Sequence, residues 1–394
     1  MFWFTLKHEL YVAAVGLLLK LAPPGRYMLF AGEGASTQLC RHIARQGLRK
    51  VLIVTDRPLV ELGVTARATA GLEQAGIATV VFDAVQPDPD FGVVHAGLAC
   101  YREHGCDGIL AVGGGSSIDA AKVIALAATH PRRPEYYVGF SKLKRPPAPL
   151  YAIPTTSGTG SEATTGAIIS DAGARAKRII ADPRLLPLAS ALDPTLLTGL
   201  PPAITAATGM DALTHAVEAY IGRWDAGDSM EKAAAAVKLI FEALPQACAD
   251  GGDIAARDAM AHAAYMAGQA INQVNVGNVH AIAHHLGAFY GVPHGLANAV
   301  TLPHVLALSR PQADQRLTEL ARLIGGESAD DFIAAVRQLN ARIGIPATLT
   351  GLRPQDIPEL SQRAVAEGCG YPVPHLMSET DCSAILSALL PAAT

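Results

Sequence analysis

The chain has 394 residues, half of them hydrophobic and 17% charged, with a formal net charge of -4. At roughly 100–200 residues per domain, this length predicts two domains. The apolar share excludes a disordered chain, and 37 Gly and 26 Pro without a short period exclude a collagen-like or low-complexity one. A domain devoted to nucleic acid carries a basic excess, which is absent here, so no nucleic-acid partner is expected.

The chain opens on an apolar run, Leu10 to Leu19, set between Lys7-His8-Glu9 and Lys20. Crossing a bilayer takes about 18–20 apolar residues. A secretory signal needs a basic start and a small-residue cleavage site, and neither is convincing. The expected structure is an apolar helix that packs on the body of the protein or on a second subunit, with no transmembrane segment. Cys40, Cys100, Cys106, Cys248, Cys369 and Cys382 show no C-x-x-C spacing. They read as reduced thiols of a cytoplasmic protein.

Residues 50–190 alternate in pattern. Lys50 to Asp56, Ala78 to Asp83, Asp107 to Val112 and Leu150 to Ile153 are short apolar runs that predict buried strands. The stretches 58–75, 91–104 and 117–128 predict helices between them. This alternation implies a parallel sheet with helices on both faces. From about 195 onward only Ala-rich helical segments follow, over 203–222, 229–249, 254–273, 278–290, 295–308, 313–324, 328–343, 355–367 and 378–390. Gly222, Gly251-Gly252, Pro293, Gly325-Gly326, Pro346 and Pro372 separate them. The expected boundary is near Asp193-Pro194. It leaves the apolar start and an α/β domain in 1–193 and an all-helical domain in 194–394.

Gly113-Gly114-Gly115-Ser116-Ser117 stands between the third strand and its helix. Glycine lets a backbone approach an anion, and a helix N-terminus offers unpaired N–H groups. The spacing is neither G-x-G-x-x-G nor a P-loop. Ser116 or Ser117 is a candidate helix cap, with Asp119 in the first turn. Pro154 to Glu162, rich in Thr, Ser and Gly, follows the fourth strand at the sheet edge where open α/β sheets bind ligands. Asp56 ends the first strand. There a carboxylate can accept from ribose hydroxyls and repel a 2′-phosphate, although taken alone it reads better as a helix N-cap.

In the helical half, Asp211 and His215 lie four residues apart, on one helix face. His280 and His284 repeat that spacing. His285, His294 and His304 complete five of the 13 histidines within 25 residues. One carboxylate with several imidazoles suits Fe²⁺ or Zn²⁺ better than Ca²⁺ or Mg²⁺. The spacings are loose, so several ligand triples fit.

These features together resemble the iron-containing (group III) alcohol dehydrogenase family, from about residue 28 to 390. The resemblance is strongest over Gly113–Lys122, Ala152–Glu162, Ala206–Glu218, and Gly277–His284 through Gly295. It implies a dehydroquinate synthase-like architecture, with an NAD-binding α/β domain, an all-α domain and the active site in the cleft between them. It implies Asp211, His215, His280 and His294 as metal ligands, with His284 as a proton relay and not a ligand. The pyrophosphate would lie on Gly114, Gly115 and Ser116, with Asp119 nearby. Thr155, Thr156 and Thr159 would line the nicotinamide end, Lys177 would reach the ribose, and Asp56 would favour NAD. The implied cofactors are NAD and Fe²⁺, with Zn²⁺ able to take the same ligands. The implied reaction interconverts a primary alcohol and its aldehyde. A homodimer or larger homo-oligomer is expected from the apolar N-terminus.

Residues 1–25, Asp88, Gly166 and His285 depart from the family pattern. Gly166 replaces a polar substrate-contacting side chain, which implies a roomier or less polar pocket. A glycerol or polyol dehydrogenase, a maleylacetate-type reductase and a non-catalytic nucleotide- or metal-binding protein are the alternatives. The last would be expected to lose a ligand or the Thr-rich loop, and this chain keeps both.

Overall fold

In the computed structural model, the described residues are 2–20, 28–171, 173 and 176–391. Positions 21–25 of the N-terminal extension lie outside them. The chain divides into two compact units. One holds 26–200 and 252–265; the other holds the N-terminal helix, 201–251 and the chain from 266 on.

The first unit is built on nine strands: β1 (Leu29–Ala31), β2 (Lys50–Val54), β3 (Ala78–Phe82), β4 (Gly108–Gly113), β5 (Gly139–Phe140), β6 (Leu150–Pro154), β7 (Gly166–Asp171), β8 (Ala176–Ala181) and β9 (Ala189–Leu192). Six form one parallel sheet in the order β1-β9-β6-β4-β2-β3. Successive side chains of a strand point to opposite faces. Accordingly Leu52, Ile109, Ala111 and Ala152 enter one core, and Val51, Ile53, Leu110 and Ile153 enter the other. Both faces are dry, so these strands are continuous apolar runs, as expected of a covered parallel sheet.

A second sheet, β5-β8-β7, has β7 and β8 antiparallel. It was not foreseen. Nor were β1 and β9, whose few residues (Leu-Phe-Ala and Ala-Ser-Ala-Leu) carry no β-branched signal.

The helices in chain order are α1 (Phe2–Lys20), α2 (Ala35–Arg45), α3 (Arg57–Glu61), α4 (Val64–Gln74), α5 (Phe91–Glu103), α6 (Gly115–Thr129), α7 (Pro202–Ile221), α8 (Ser229–Ala249), α9 (Ile254–Val274), α10 (Asn278–Tyr290), α11 (His294–Leu323), α12 (Ala329–Arg342), α13 (Ile357–Gly368) and α14 (Glu379–Ala388). Two expectations are corrected. The helix over 58–75 is two, α3 and α4, because Gly63 takes a left-handed conformation (φ 70°) between them. The helices over 295–308 and 313–324 are one, α11, which runs through Pro303 and Pro311. Each proline removes one N–H bond, but α11 packs on α7, α10 and α12, and burial of Leu302, Val305, Leu306 and Leu317 carries the helix past both.

Within the second unit, α1 is tied to its neighbours by several contacts. Trp224 Nε1 donates to Val12 O (2.8 Å), Arg223 grips Glu9 through two 2.6 Å bonds, and His8 Nδ1 meets Cys369 O at 3.0 Å. Leu10, Tyr11 and Leu17 remain exposed. Among the described residues, no helix is long and apolar enough to cross a membrane. All six cysteines are free thiols.

Candidate metal centre and cofactor cradle

In the helical unit, three helices bring four ligand side chains together. α7 supplies Asp211 and His215, one turn apart on one face; α10 supplies His280 in its first turn; α11 begins at His294. α11 can start there because Gly295 lies against the α7 backbone. A Cβ at Gly295 would stand 2.3 Å from Ala207 O.

One ligand atom from each of the four residues lies within 4.8 Å of the other three. Asp211 Oδ1 stands 3.4 Å from His294 Nε2, 3.9 Å from His280 Nε2 and 4.0 Å from His215 Nε2. Four ligands holding a common ion at about 2.1 Å sit about 3.4 Å apart in a tetrahedron. The donor set, one carboxylate and three imidazoles, therefore fits a divalent ion of the iron or zinc type after a small contraction. Asp211, His215 and His280 are buried, whereas the His294 side chain is 30% exposed and leaves an accessible side. Burial, followed by the neighbouring His215, His294 and His284, drives the His280 imidazole well below its ordinary range. A neutral imidazole is the form that binds a metal.

The site contains two polar residues that motif spacing did not single out, an acid and an amide. Glu218, one turn past His215 on α7, is buried and accepts from Gly277 N and Val279 N (2.7 Å each) and from His280 Nδ1 (2.6 Å). It both caps α10, which has no other side-chain cap, and turns His280 Nε2 toward the other ligands. Burial pushes this carboxyl upward, and the three N–H donors pull it back toward the ionised form. Asn298, fully buried on α11, donates to Asp211 Oδ1 at 2.7 Å. The available signal for both was a polar residue at helical spacing from a ligand in an otherwise apolar helix, but spacing alone does not reveal a partner 60 or more residues away.

His284 contributes no atom to the ligand group. Its ring stacks on His294 with centroids 5.3 Å apart. His285 lies against Glu367 instead (3.1 Å), and His304 is outside the group.

In the α/β unit, the glycine run closes on the hydroxyl loop. A Cβ on Gly115 would meet Thr159 Cγ2 at 2.6 Å, and one on Gly114 would meet Thr156 Oγ1 at 3.2 Å. Gly114 is the N-cap of α6 and no side chain caps the helix, so the expectation of a Ser116 or Ser117 cap is corrected. Thr155 is buried, its N–H bonded to Gly113 O.

Asp119 turns inward. It accepts from Ser161 Oγ (2.5 Å) and Ile168 N (2.9 Å), tying α6 to the loop and to β7. Fully buried Lys122 donates to Ser161 Oγ and Thr164 Oγ1 in the same cluster. Asp56 caps α3, accepting from Leu59 N at 3.0 Å through Oδ1, as the simpler expectation had it. Lys177 pairs with Asp88, whose φ is 56°.

Two family models cover nearly the whole chain. "Iron-containing alcohol dehydrogenase" matches residues 26–194, and "Fe-containing alcohol dehydrogenase family, C-terminal" matches 205–390. The chain belongs to the iron-containing alcohol dehydrogenase family. A 1,3-propanediol dehydrogenase of Klebsiella pneumoniae is 40% identical over 90% of this chain and 95% of its own length. An NAD-dependent methanol dehydrogenase of Bacillus methanolicus is 36% identical over 91% of this chain and 97% of its own. A solved structure of 1,3-propanediol oxidoreductase superposes with a TM-score of 0.89, covering 93% of this chain and 99% of that one at 38% identity. As a member of this family, the chain is an iron-type alcohol dehydrogenase, and its Asp/His group has the donor chemistry for that metal.

Proposed function

We propose that the enzyme oxidises a primary alcohol to its aldehyde, and reduces the aldehyde in reverse, at a metal centre held by Asp211, His215, His280 and His294. The observation that carries this reading is the convergence of those four ligand atoms from three helices, with one ligand partly open to solvent. Bound there, a divalent ion supplies Lewis acidity toward the substrate oxygen and NAD supplies the hydride acceptor. The chain's own residues do the rest. Glu218 and Asn298 orient the ligands. His284 takes the hydroxyl proton on Nε2. The uncapped start of α6, at Gly114, Gly115 and Ser116, offers N–H groups to the pyrophosphate. Thr156 and Thr159 line the same cradle, Asp119 holds it in shape from below, and Lys177 serves the ribose from its pair with Asp88.

A Cβ built on Gly166 meets nothing within 4 Å, so the missing side chain leaves open space, which supports a roomier pocket. Free thiols support a cytoplasmic enzyme, and the exposed apolar side chains of α1 support a homo-oligomer. The test is elemental analysis of anaerobically purified protein, coupled to NADH formation from a panel of short- and medium-chain primary alcohols. Metal in stoichiometric amount with NADH formation supports the reading; turnover without metal sinks it.

Asp56 is assigned to cofactor choice. Its Oδ1 caps α3, so Asp56→Ser keeps a capping oxygen and removes only the charge. The kcat/KM ratio of NADP to NAD is expected to rise by about tenfold, equivalent to about 1.4 kcal/mol. An unchanged ratio would leave Asp56 as a helix cap alone.

A further inference from the structure

Glu367 stands in the last turn of α13, where a carboxylate faces the negative end of the helix dipole. It is nonetheless held firmly. His284 Nδ1 lies 2.6 Å from Oε1, Tyr371 OH donates to the same oxygen at 2.6 Å, and His285 Nε2 lies 3.1 Å from Oε2. The approach is close because Gly368, the next residue, presses on α10; a Cβ there would stand 2.9 Å from Asn278 Oδ1. Tyr371 OH and His284 Nδ1 both stand 2.6 Å from Oε1, and hydrogen bonds to a carboxylate favour its ionised form. An ionised carboxylate only accepts, so the proton between it and His284 belongs to Nδ1. His284 Nε2 is then the lone-pair nitrogen, and it is buried with no hydrogen-bond partner among the described residues.

We propose that Glu367 is a positioning residue for alcohol oxidation, which fixes the His284 ring and keeps its proton on Nδ1 so that Nε2 stays open as the proton acceptor. This rests on the reading of His284 as the relay. In the oxidation, the alcohol O–H bond breaks toward Nε2, the hydride leaves carbon for NAD, and the proton on Nε2 later passes to water. Glu367 keeps its charge throughout and gains no proton. The geometry resembles an acid behind a catalytic imidazole, where the acid's task is the tautomer and not the proton transfer.

The test compares His284→Gln, Glu367→Gln and Glu367→Asp in zinc-loaded protein. Three readouts are taken: kcat and KM separately, metal content, and nitrogen–proton correlation spectra of the histidine side chains, with the His284 signals assigned from their loss in His284→Gln. Glu367→Gln is expected to lower kcat by about 100-fold, with KM within about twofold and metal content unchanged, and to abolish the Nδ1–H signature of His284. Glu367→Asp should recover part of both. Normal kcat and an unchanged tautomer in Glu367→Gln would overturn the proposal. If His284→Gln turns over normally, the relay reading fails by itself, while the spectra still decide whether Glu367 sets the tautomer. If Glu367→Gln does not fold, Glu367→Ala, which removes the acceptor of the His284 Nδ1 bond, is read by the same spectra. A wild-type tautomer there would overturn the proposal.

Discussion

Replacing His280 with alanine is expected to strip the metal and abolish turnover together. His280 is buried between the other ligands, its ring stacked on His215 with centroids 4.6 Å apart. The substitution removes one of four donors and also leaves the Glu218 carboxylate facing a void where an N–H had been. Loss of an outer-shell partner alone costs about 10- to 100-fold in metal affinity, and loss of a ligand should exceed that. His294→Ala should behave alike, since His294 Nε2 is the ligand nearest Asp211 Oδ1, at 3.4 Å. His304→Ala is the matched control: it belongs to the same His-rich stretch but lies outside the ligand group, and should retain metal. Elemental analysis and steady-state rates on folded protein, checked by circular dichroism, read the result. A metal-free His280→Ala enzyme with full activity would refute the assignment.

Glu218→Gln is expected to weaken metal binding without touching a ligand. The carboxylate receives three N–H groups, two from the first turn of α10 and one from His280. A glutamine has one acceptor oxygen and turns an NH₂ toward a donor, so at least one buried N–H loses its partner, at about 1–3 kcal/mol. It also frees the His280 ring to choose the other tautomer. The expected outcome is a metal affinity lower by about 10- to 100-fold and a lower denaturation midpoint of the metal-free protein. Chelator competition and urea unfolding separate the two effects. Lower stability with unchanged affinity would make Glu218 a helix cap only.

The sheet was legible because its strands are buried on both faces. Continuous apolar runs such as Val51-Leu52-Ile53-Val54 need no partner to be recognised. Strands made of small residues, such as Ala189 to Leu192, carried no such signal and exist only because β1 and β6 flank them. The helical half was legible in composition, though not in punctuation: Pro303 and Pro311 look like ends and are interior. Asp211 and His215 were visible at helical spacing from each other, His280 and His294 only as members of a dense His stretch, and the family resemblance separated these four from His284.

By itself the sequence determined the local matters: the alternation that builds a covered parallel sheet, the glycines that open a helix N-terminus, and the donor chemistry of one acid and three imidazoles. Tertiary structure alone decided which polar groups meet. Glu218 is 62 residues from His280, and Glu367 is 83 from His284. Periodicity reports which face of a helix a side chain occupies, and says nothing of what another helix brings to that face. The nitrogen that each imidazole presents is set by the acid behind it, and that acid arrives only when the helices pack.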